Sequence, residues 1–285
     1  MRTLVHLSDL HFGRIDEGMI EPLVDAVRAA APHAVVVSGD FTQRAKTHEF
    51  RAAHAFLERL PRPQVLVPGN HDVPLYDIVE RFLGRLARYR RYISAELQPF
   101  IVDDEIALLG LNTARPATFA NGRISHGQAA AITAVFSKVP VGRLKVLAIH
   151  HPLAVPPAAG NSAPIGRAAI ALEAITEAGV RLVLSGHHHR ALISDPAGSD
   201  LVAKGSILFV HAGTAISTRL RGEPNSYNLL RVAPTAVSCT VRAFTGNNFS
   251  EAETAHYTLL GGRWTRHQPV RLERLRGIEP SSQLE

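Results

Sequence analysis

The sequence predicts an α/β fold whose C-terminal part is almost entirely β-strand. Apolar, strand-like runs alternate with helical patterns up to about residue 184, and the helical pattern then disappears. Alternating strands and helices are typical of parallel strands joined by right-handed crossovers. We therefore expect a parallel sheet to come first along the chain, with antiparallel strands completing the fold between residues 205 and 262.

The strands are predicted from short runs of apolar and β-branched residues that end at polar residues or at Gly and Pro. In the first part of the chain these runs cover residues 2–7, 34–37, 65–67, 106–111, 145–149 and 180–184. In the second part they cover residues 207–210, 227–232, 237–244 and 256–260.

Helices are predicted between these strands from apolar residues repeating at helical spacing. Two cover residues 20–27 and 48–60, and prolines follow both. Further helices are expected over residues 76–95, 128–137 and 167–178. The helix over 76–95 has an apolar stripe expected to face the core. Its arginines are expected to point largely outward: Arg81, Arg85, Arg88 and Arg91.

One domain is predicted over residues 1–270, followed by a polar tail over 271–285. The chain contains no internal repeat and no low-complexity linker. Residues 152–166 form a long loop rich in Pro, Gly and Ala, and such a loop inside a compact domain is usually a binding loop or a lid.

Composition limits the cellular setting and the partners. The formal net charge is +6, from 31 Lys and Arg against 25 Asp and Glu, which favours anionic partners such as phosphates, nucleic acid or a membrane surface. Cys239 is the single cysteine, which fits a reducing compartment. No apolar run reaches the length of a transmembrane helix, and Met1 leads directly into the first strand. We therefore expect a cytoplasmic protein.

Polar residues able to bind metals or transfer protons follow five of the predicted strands. They are Asp9 with His11, Asp40, the run Asn70-His71-Asp72, the pair His150-His151, and the run His187-His188-His189. Ligands of open α/β sheets bind beyond the carboxyl ends of the strands. Residues spread over 180 positions are therefore expected to meet at one edge.

The residue types at this edge indicate metal chemistry. Asp, His and Asn without Cys form an oxygen and imidazole set, which suits Mn²⁺, Fe or Zn²⁺ better than Ca²⁺ or a structural zinc. More ligands are present than one ion requires, so two ions are expected. Two neighbouring metals can generate a nucleophile and stabilise both oxygens of a phosphoryl displacement.

The motifs Asp9-x-His11, Gly39-Asp40, Gly69-Asn70-His71-Asp72, His150 and Gly186-His187-x-His189 resemble those of the calcineurin-like metallophosphoesterase superfamily. All five occur in the order of the family, over residues 4–190. The chain is most similar to the bacterial class III phosphodiesterase-like branch, which includes cyclic-nucleotide and glycerophosphodiester hydrolases. The resemblance implies a four-layer α/β/β/α sandwich of two mixed β-sheets flanked by helices.

The resemblance also implies a role for each residue. Six residues would bind one ion each: Asp9, His11 and His189 the first ion, and Asn70, His150 and His187 the second. Asp40 would bridge both ions. His71 would lie against the substrate phosphate, where it gives a proton to the leaving oxygen or stabilises the transition state, and Asp72 would orient His71. A bridging hydroxide would attack phosphorus in line.

Several assignments have alternatives in the sequence. Asp40 can instead cap the following helix, and each histidine run is ambiguous by one position. His151 and His188 are expected to face away from the metals or to reach groups behind the ligands. His6 and His211 lie in apolar runs and are expected in the core. Three arginines are candidates for substrate binding, and surface positions explain them equally well: Arg14, Arg44 and Arg123.

The expected activity is hydrolysis of a small phosphodiester, such as a cyclic nucleotide or a glycerophosphodiester. A pyrophosphatase acting on a nucleotide-linked lipid precursor is the alternative, with the basic helix over 76–95 contacting the membrane or the acyl chains. A DNA nuclease is disfavoured, because only 6% of residues are aromatic and no basic aromatic strip suits base stacking. A non-catalytic metal-binding scaffold would be expected to lack a ligand or His71, and neither is missing.

Overall fold

Two β-sheets pack face to face in the computed structural model, which describes residues 1–75, 81, 84, 86–116, 118, 121–154, 164–194 and 206–267. The first sheet has the strand order β13-β12-β11-β10-β1-β2-β3 and the second has the order β4-β5-β6-β7-β9-β8. Helices cover the outer face of each sheet. The predicted α/β/β/α sandwich of two mixed sheets is confirmed.

The first sheet joins strands from both ends of the chain. Its parallel half consists of β1 (Arg2–Leu7), β2 (Ala34–Val37) and β3 (Gln64–Leu66). Its antiparallel half consists of β10 (Ser226–Ala233), β11 (Ala236–Thr245), β12 (Asn248–Leu260) and β13 (Arg263–His267). Strand β1 pairs antiparallel with β10, with Leu4 opposite Leu230. The last strand, β13, was not predicted, because Arg263–His267 holds only one large apolar residue among polar ones.

The second sheet has a parallel centre and two antiparallel edges. The centre consists of β5 (Ile106–Gly110), β6 (Leu144–Ala148), β7 (Leu182–Ser185) and β9 (Leu208–His211). The edges are β4 (Phe100–Val102) and β8 (Leu192–Ser194), two three-residue strands that were not predicted. Runs this short have too few residues to establish a periodicity.

The interior between the sheets is a dry layer of alternating residues. Leu4 and Val36 of the first sheet and Leu108, Val146 and Leu184 of the second belong to one buried cluster. Because successive side chains of a strand point to opposite faces, the residues between them face the helices. Both faces of each central strand are therefore buried, which explains why the strands are continuously apolar.

Within the described residues, five α-helices cover the outer faces: α1 (Ile20–Ala29), α2 (Thr47–Leu57), α3 (Ala87–Tyr92), α4 (His126–Phe136) and α5 (Ala168–Glu177). The first three pack on the first sheet, where Leu23 and Phe50 are fully buried. The other two pack on the second sheet through residues such as Ile132 and Ile175. Helix α4 begins at a capping box, in which the Ser125 hydroxyl accepts a hydrogen bond from the Gln128 amide. None of the helices in the described parts of the chain combines the length and apolar character needed to cross a bilayer.

Within the described residues, the structure agrees only in part with the arginine-containing helix predicted over 76–95. Helix α3 is its described part, and Tyr89 is fully buried as expected. Arg81 is buried rather than outward, because its guanidinium donates hydrogen bonds to the carbonyls of Pro74 and Pro116. Residues 76–80 lie outside the described residues, as do 155–163 of the predicted loop and the tail over 271–285. The division into one domain over 1–270 stays a prediction.

Candidate metal centre

The residues that follow the strand ends reach the site through left-handed turns. Five of the expected ligands have positive φ angles of 52–74°: Asp9, His11, Asp40, His187 and His189. Such angles are uncommon outside glycine and occur at functional sites that the surrounding fold holds in place. Left-handed backbone at both Asp9 and His11 therefore brings the two side chains into the same site.

Asp9, His11 and His189 form one group whose ligand atoms all lie within 4.8 Å of one another. The Nε2 atoms of His11 and His189 are 3.2 Å apart. Asp9 Oδ1 lies 3.3 Å from His189 Nε2 and 3.7 Å from His11 Nε2. Asp9 Oδ1 is buried and accepts no hydrogen bond, whereas Oδ2 accepts from Ser8 and from the His187 amide. An unpaired buried carboxylate oxygen facing two imidazole nitrogens fits a cation.

Asp40 lies between this group and a second one. Its Oδ2 is 3.7 Å from His11 Nε2 and 3.4 Å from His150 Nε2. Its Oδ1 accepts a hydrogen bond of 2.9 Å from the His71 amide. The Asp40 carboxylate therefore faces ligand atoms on both sides, as a bridging position requires.

Asn70, His150 and His187 meet on the other side of Asp40. Asn70 Oδ1 is 3.1 Å from His150 Nε2 and 3.1 Å from His187 Nδ1, and the two imidazole nitrogens are 3.3 Å apart. His151 also belongs to a metal-capable group with His150 and His187. His151 was expected to face away or to reach groups behind the ligands. Its Nδ1 lies 2.8 Å from the Thr113 hydroxyl, so it both contacts such a group and stays near the ligands.

Hydrogen bonds behind the ligands fix which ring nitrogen faces the centre. His150 Nδ1 lies 2.7 Å from the Ser38 carbonyl, and His189 Nδ1 lies 2.8 Å from the Arg219 carbonyl. A carbonyl only accepts, so each Nδ1 carries a proton, and the neutral form of each ring presents the lone pair of Nε2 to the centre. This tautomer is the one that a metal ligand needs.

The buried charges of the site suit cations. Burial opposes ionisation of Asp9, yet His189 and His150 hold its pKa well below the usual range. Burial likewise opposes ionisation of Asp40, and His150 and His71 hold its pKa low. Burial lowers the pKa of His11 to about 3, so its ring stays neutral as a ligand must be. Burial opposes charge on His150 and His189, yet Asp40 and Asp9 raise the pKa of His150 to about 9, and they raise the pKa of His189 as well. Metal ions that bind beside the two ionised carboxylates must therefore displace protons from these two rings.

Two glycines allow the loops to approach this closely. A Cβ on Gly69 would collide with the side chain and backbone nitrogen of Asp40. A Cβ on Gly186 would collide with Ser8 and with the Asp9 carboxylate. Both positions therefore require a residue without a side chain, which explains the Gly-Asn-His-Asp and Gly-His motifs in physical terms.

Asp72 does not have the role that the sequence predicted for it. Its Oδ2 accepts from the amides of Gly69 and Phe41, and its Oδ1 accepts from the amide and hydroxyl of Thr42. The His71 ring instead lies 2.8 Å from the Gln43 carbonyl through Nδ1. The prediction that Asp72 orients His71 is wrong, because the short helical turn Asn70–Asp72 points the Asp72 carboxylate back into the loop after β2. The Asp72 carboxylate thus links the loop after β3, which carries Asn70, to the loop after β2, which carries Asp40.

Arg219 is a residue of the site that the sequence did not identify. Its Nη1 lies 3.0 Å from His71 Nε2, and its backbone carbonyl accepts from His189. Its guanidinium is half-buried near Asp40 and Asp9, and burial lowers its pKa although these carboxylates oppose the change. Arg219 lies well beyond the end of β9 (Leu208–His211), so no strand-end pattern marked it. It places a cation beside His71, facing the ligand cluster.

The three arginines named as substrate candidates all have exposed side chains. Arg14 and Arg44 are exposed, and the Arg14 carbonyl accepts a hydrogen bond from the Ser217 hydroxyl. The Arg44 amide donates to Glu49. Arg123 is exposed and lines a separate cavity with Asn112 and Val73. The structure therefore brings none of the three guanidinium groups into a described contact with the ligands.

His6, His188 and His211 are buried outside the metal-capable groups found among the described residues. His6 Nε2 lies 2.9 Å from the Ser38 hydroxyl, and His211 Nδ1 lies 2.9 Å from the Ser185 hydroxyl. The prediction that His6 and His211 are core residues is confirmed, although one nitrogen of each ring has no hydrogen-bond partner. The His188 ring is 6.1 Å from the His211 ring and 5.6 Å from the ring of the expected ligand His187, so it lies behind the ligand cluster but close to it.

A sequence model described as calcineurin-like phosphoesterase matches residues 2–191. The chain belongs to the calcineurin-like phosphoesterase family. The resemblance seen in the sequence is thereby confirmed. This family uses two metal ions, and the His and Asp groups of the chain suit metal binding.

A curated relative and two solved structures add detail. The glycerophosphodiester phosphodiesterase GpdQ of Enterobacter lignolyticus strain SCF1 is 35% identical over 81 residues, which cover 24% of this chain and 29% of that protein. The match thus spans less than a third of the length of the relative. The purple acid phosphatase PPD1 of yellow lupin (Lupinus luteus) has a TM-score of 0.66 at 11% identity, over 89% of this chain and 53% of that chain. A dimetal phosphatase from Danio rerio has a TM-score of 0.62 at 13% identity, over 88% and 98%. At such identities the two structures establish the shared fold alone.

Proposed function

We propose that this calcineurin-like phosphoesterase is a dinuclear metal-dependent hydrolase of small phosphodiesters. The observation that carries the proposal is the position of Asp40, whose carboxylate lies within 3.7 Å of His11 on one side and 3.4 Å of His150 on the other. Two ligand sets that meet at one carboxylate suit two adjacent ions. Two such ions, when bound, activate water and stabilise charge on the oxygens of a phosphoryl displacement.

In this proposal each ligand residue is assigned to one ion or to both. Asp9, His11 and His189 bind one ion, Asn70, His150 and His187 bind the other, and Asp40 contacts both. Mn²⁺ and Fe are the favoured ions and Zn²⁺ is also compatible, because the set consists of carboxylate, amide and imidazole groups. A cytoplasmic setting is part of the proposal.

His71 and Arg219 face the substrate phosphate. The Gln43 carbonyl holds His71 Nδ1, so Nε2 is the nitrogen available to the leaving oxygen. In the structure the Arg219 guanidinium donates to His71 Nε2. A charged phosphate oxygen is a stronger acceptor for a guanidinium than a neutral imidazole nitrogen is. When Arg219 moves to the phosphate, His71 Nε2 is free to take a proton from solvent and to pass that proton to the leaving oxygen as its bond to phosphorus breaks. Arg219 then neutralises charge on the phosphoryl oxygens.

A small diester, such as a cyclic nucleotide or a glycerophosphodiester, is the favoured substrate class. The local similarity to a glycerophosphodiester phosphodiesterase supports this choice. The lipid-precursor alternative depended on an outward row of arginines over 76–95. Arg81 is buried and Arg88 donates to the Ala45 carbonyl, so these two described arginines do not favour it.

The test compares bis(4-nitrophenyl) phosphate with 4-nitrophenyl phosphate on Mn²⁺-loaded protein. We expect faster hydrolysis of the diester, and loss of both activity and bound metal in Asp40→Asn. His71→Ala should lower turnover by about 10²-fold or more while metal content is retained. His256→Ala, at an exposed position of β12, is the matched control and should behave as the parent protein.

Two outcomes contradict the proposal. Metal binding without hydrolysis of either ester would favour a non-catalytic scaffold. A His71→Ala protein that loses its metal would show that His71 is a ligand rather than a proton donor.

A further inference from the structure

A cavity of about 610 Å³ lies beside the metal centre and outside the ligand cluster. Val73 lines one wall directly after the turn Asn70–Asp72, which carries a predicted ligand and His71. Asn112 lines another wall next to Thr113, whose hydroxyl contacts His151. The cavity therefore borders two of the segments that build the centre, and its volume is typical of small-molecule sites.

Four arginines line this cavity, and no Asp or Glu lines it among the described residues: Arg90, Arg115, Arg123 and Arg167. Arg115 is held in place by donating to the Gln128 side chain and to the Arg123 carbonyl. No ion pair within the described parts of the chain occupies the side chains of the other three. Positive charge of this density along one cavity favours an anionic ligand.

The backbone adds to the positive potential. Ser125 is the N-cap residue of α4 and Arg167 is the N-cap residue of α5, and both line the cavity. These helices have 11 and 10 residues, so their N-termini present partial positive charge to the same space. The segment before α4 is joined to the segment before α5 by two backbone hydrogen bonds. The Ile124 amide donates to the Gly166 carbonyl, and the Gly166 amide donates to the Gly122 carbonyl. These bonds hold the segment that carries Arg123 next to the segment that carries Arg167.

We infer that this cavity binds a second anionic group on one ester arm of the substrate. The inference rests on the proposed phosphodiesterase function and narrows its substrate class. The substrate would be a small phosphodiester with a further phosphate, bound so that the scissile phosphorus lies at the metals and the second phosphate lies among the arginines. The apolar residues Val73, Leu86 and Leu97 would contact the carbon framework that joins the two.

The test uses two ligands that differ only in a terminal phosphate, the dinucleotide ApA and its 5′-phosphorylated form pApA. Their inhibition of bis(4-nitrophenyl) phosphate hydrolysis is measured on the Mn²⁺-loaded full chain. We expect an inhibition constant about tenfold or more lower for pApA, because charge-assisted arginine–phosphate bonds are strong. In the double variant Arg123→Gln, Arg167→Gln this preference should fall to about one.

The matched control carries both Arg231→Gln and Arg263→Gln. Arg231 on β10 and Arg263 on β13 are exposed arginines outside the cavity, and their replacement removes the same two charges. The pApA preference should persist in this variant. If its preference fell as far as in the double variant, net charge rather than the cavity would be responsible, and the inference would be overturned.

Failure of the inference and failure of the proposed function give different results. Hydrolysis of the chromogenic diester with equal inhibition by ApA and pApA, or with no inhibition by either, overturns only the second-anion site. A pApA preference that survives in the double variant also overturns it. If the chromogenic diester is not hydrolysed, the proposed function fails. Calorimetric titration of the same inactive protein with ApA and pApA then decides whether the cavity prefers the extra phosphate.

Discussion

The two buried core histidines predict a loss of stability in acid. Burial lowers the pKa of His6 to about 3 from an ordinary 6.5, and the charge of His211 lowers it further. Burial, together with His188, also lowers the pKa of His211 to about 3. Each ring is therefore neutral in the folded protein at a pH where the unfolded chain would protonate it. The stabilising contribution is complete above pH 6.5 and decreases as the pH falls toward 3.

The magnitude follows from the two pKa values. Between pH 8 and pH 5 an ordinary histidine gains a proton in the unfolded chain, and the corresponding loss is about 2 kcal/mol for each buried ring. His6 and His211 together then lower the free energy of unfolding by about 4 kcal/mol, a large part of the 5–15 kcal/mol of a typical domain.

Urea denaturation followed by circular dichroism at pH 8 and pH 5 measures this loss. EDTA is present throughout, so that release of metal does not contribute. In His211→Gln the loss between the two pH values should be about 2 kcal/mol smaller than in the parent protein, and His6→Gln gives an independent second measurement. His256→Gln, which replaces an exposed histidine, should show the full loss. An equal loss in the parent protein and both buried-site variants would refute the reasoning.

Three further predictions concern the centre. Asp72→Asn places a donor where an oxygen now accepts from the amides of Gly69, Phe41 and Thr42. The free energy of unfolding measured in urea should fall by about 1–3 kcal/mol. An unchanged urea midpoint would contradict the role of Asp72 in linking the two loops. Arg219→Ala should lower kcat/KM for a diester about 10–100-fold with metal content unchanged by elemental analysis, whereas loss of metal would place Arg219 in ligand support instead. Gly69→Ala forces a methyl group against Asp40 and should reduce bound metal to less than the parent stoichiometry, while Gly246→Ala, at an open turn, should retain it.

The sequence predicted the ligand-bearing positions because they depend on strand ends, which short-range patterns mark. Asp40 follows the apolar run Ala34–Val37, and parallel strands deliver their carboxyl ends to one edge whatever the loops do. The family resemblance then selected His150 over His151 and His187 over His188. The structure places the first of each pair against Asn70, and it places His151 near enough to stay in the same group.

The remaining features depend on side-chain directions and long-range contacts that no local pattern contains. Asp72 follows His71 directly, yet the turn directs the two side chains to different partners. Arg219 meets His71 across 148 positions of sequence, and its charge has no periodic signal. The helical pattern places Arg81 on a surface-facing side. In the structure its guanidinium is buried and donates hydrogen bonds to two proline carbonyls. Each of these arrangements is decided by tertiary structure.

The pairing of β1 with β10 has a consequence for biosynthesis. All seven expected ligands have been synthesised once His189 has been added, but both sheets are still unfinished at that point. Strand β1 then lacks β10 on one side, and β7 lacks β9, so each exposes a row of unpaired backbone groups. Open edges of this kind favour association between chains. A chain truncated near residue 191 should therefore contain every expected ligand and still aggregate, and a ribosome-bound chain would need protection until Ser226–Ala233 emerges.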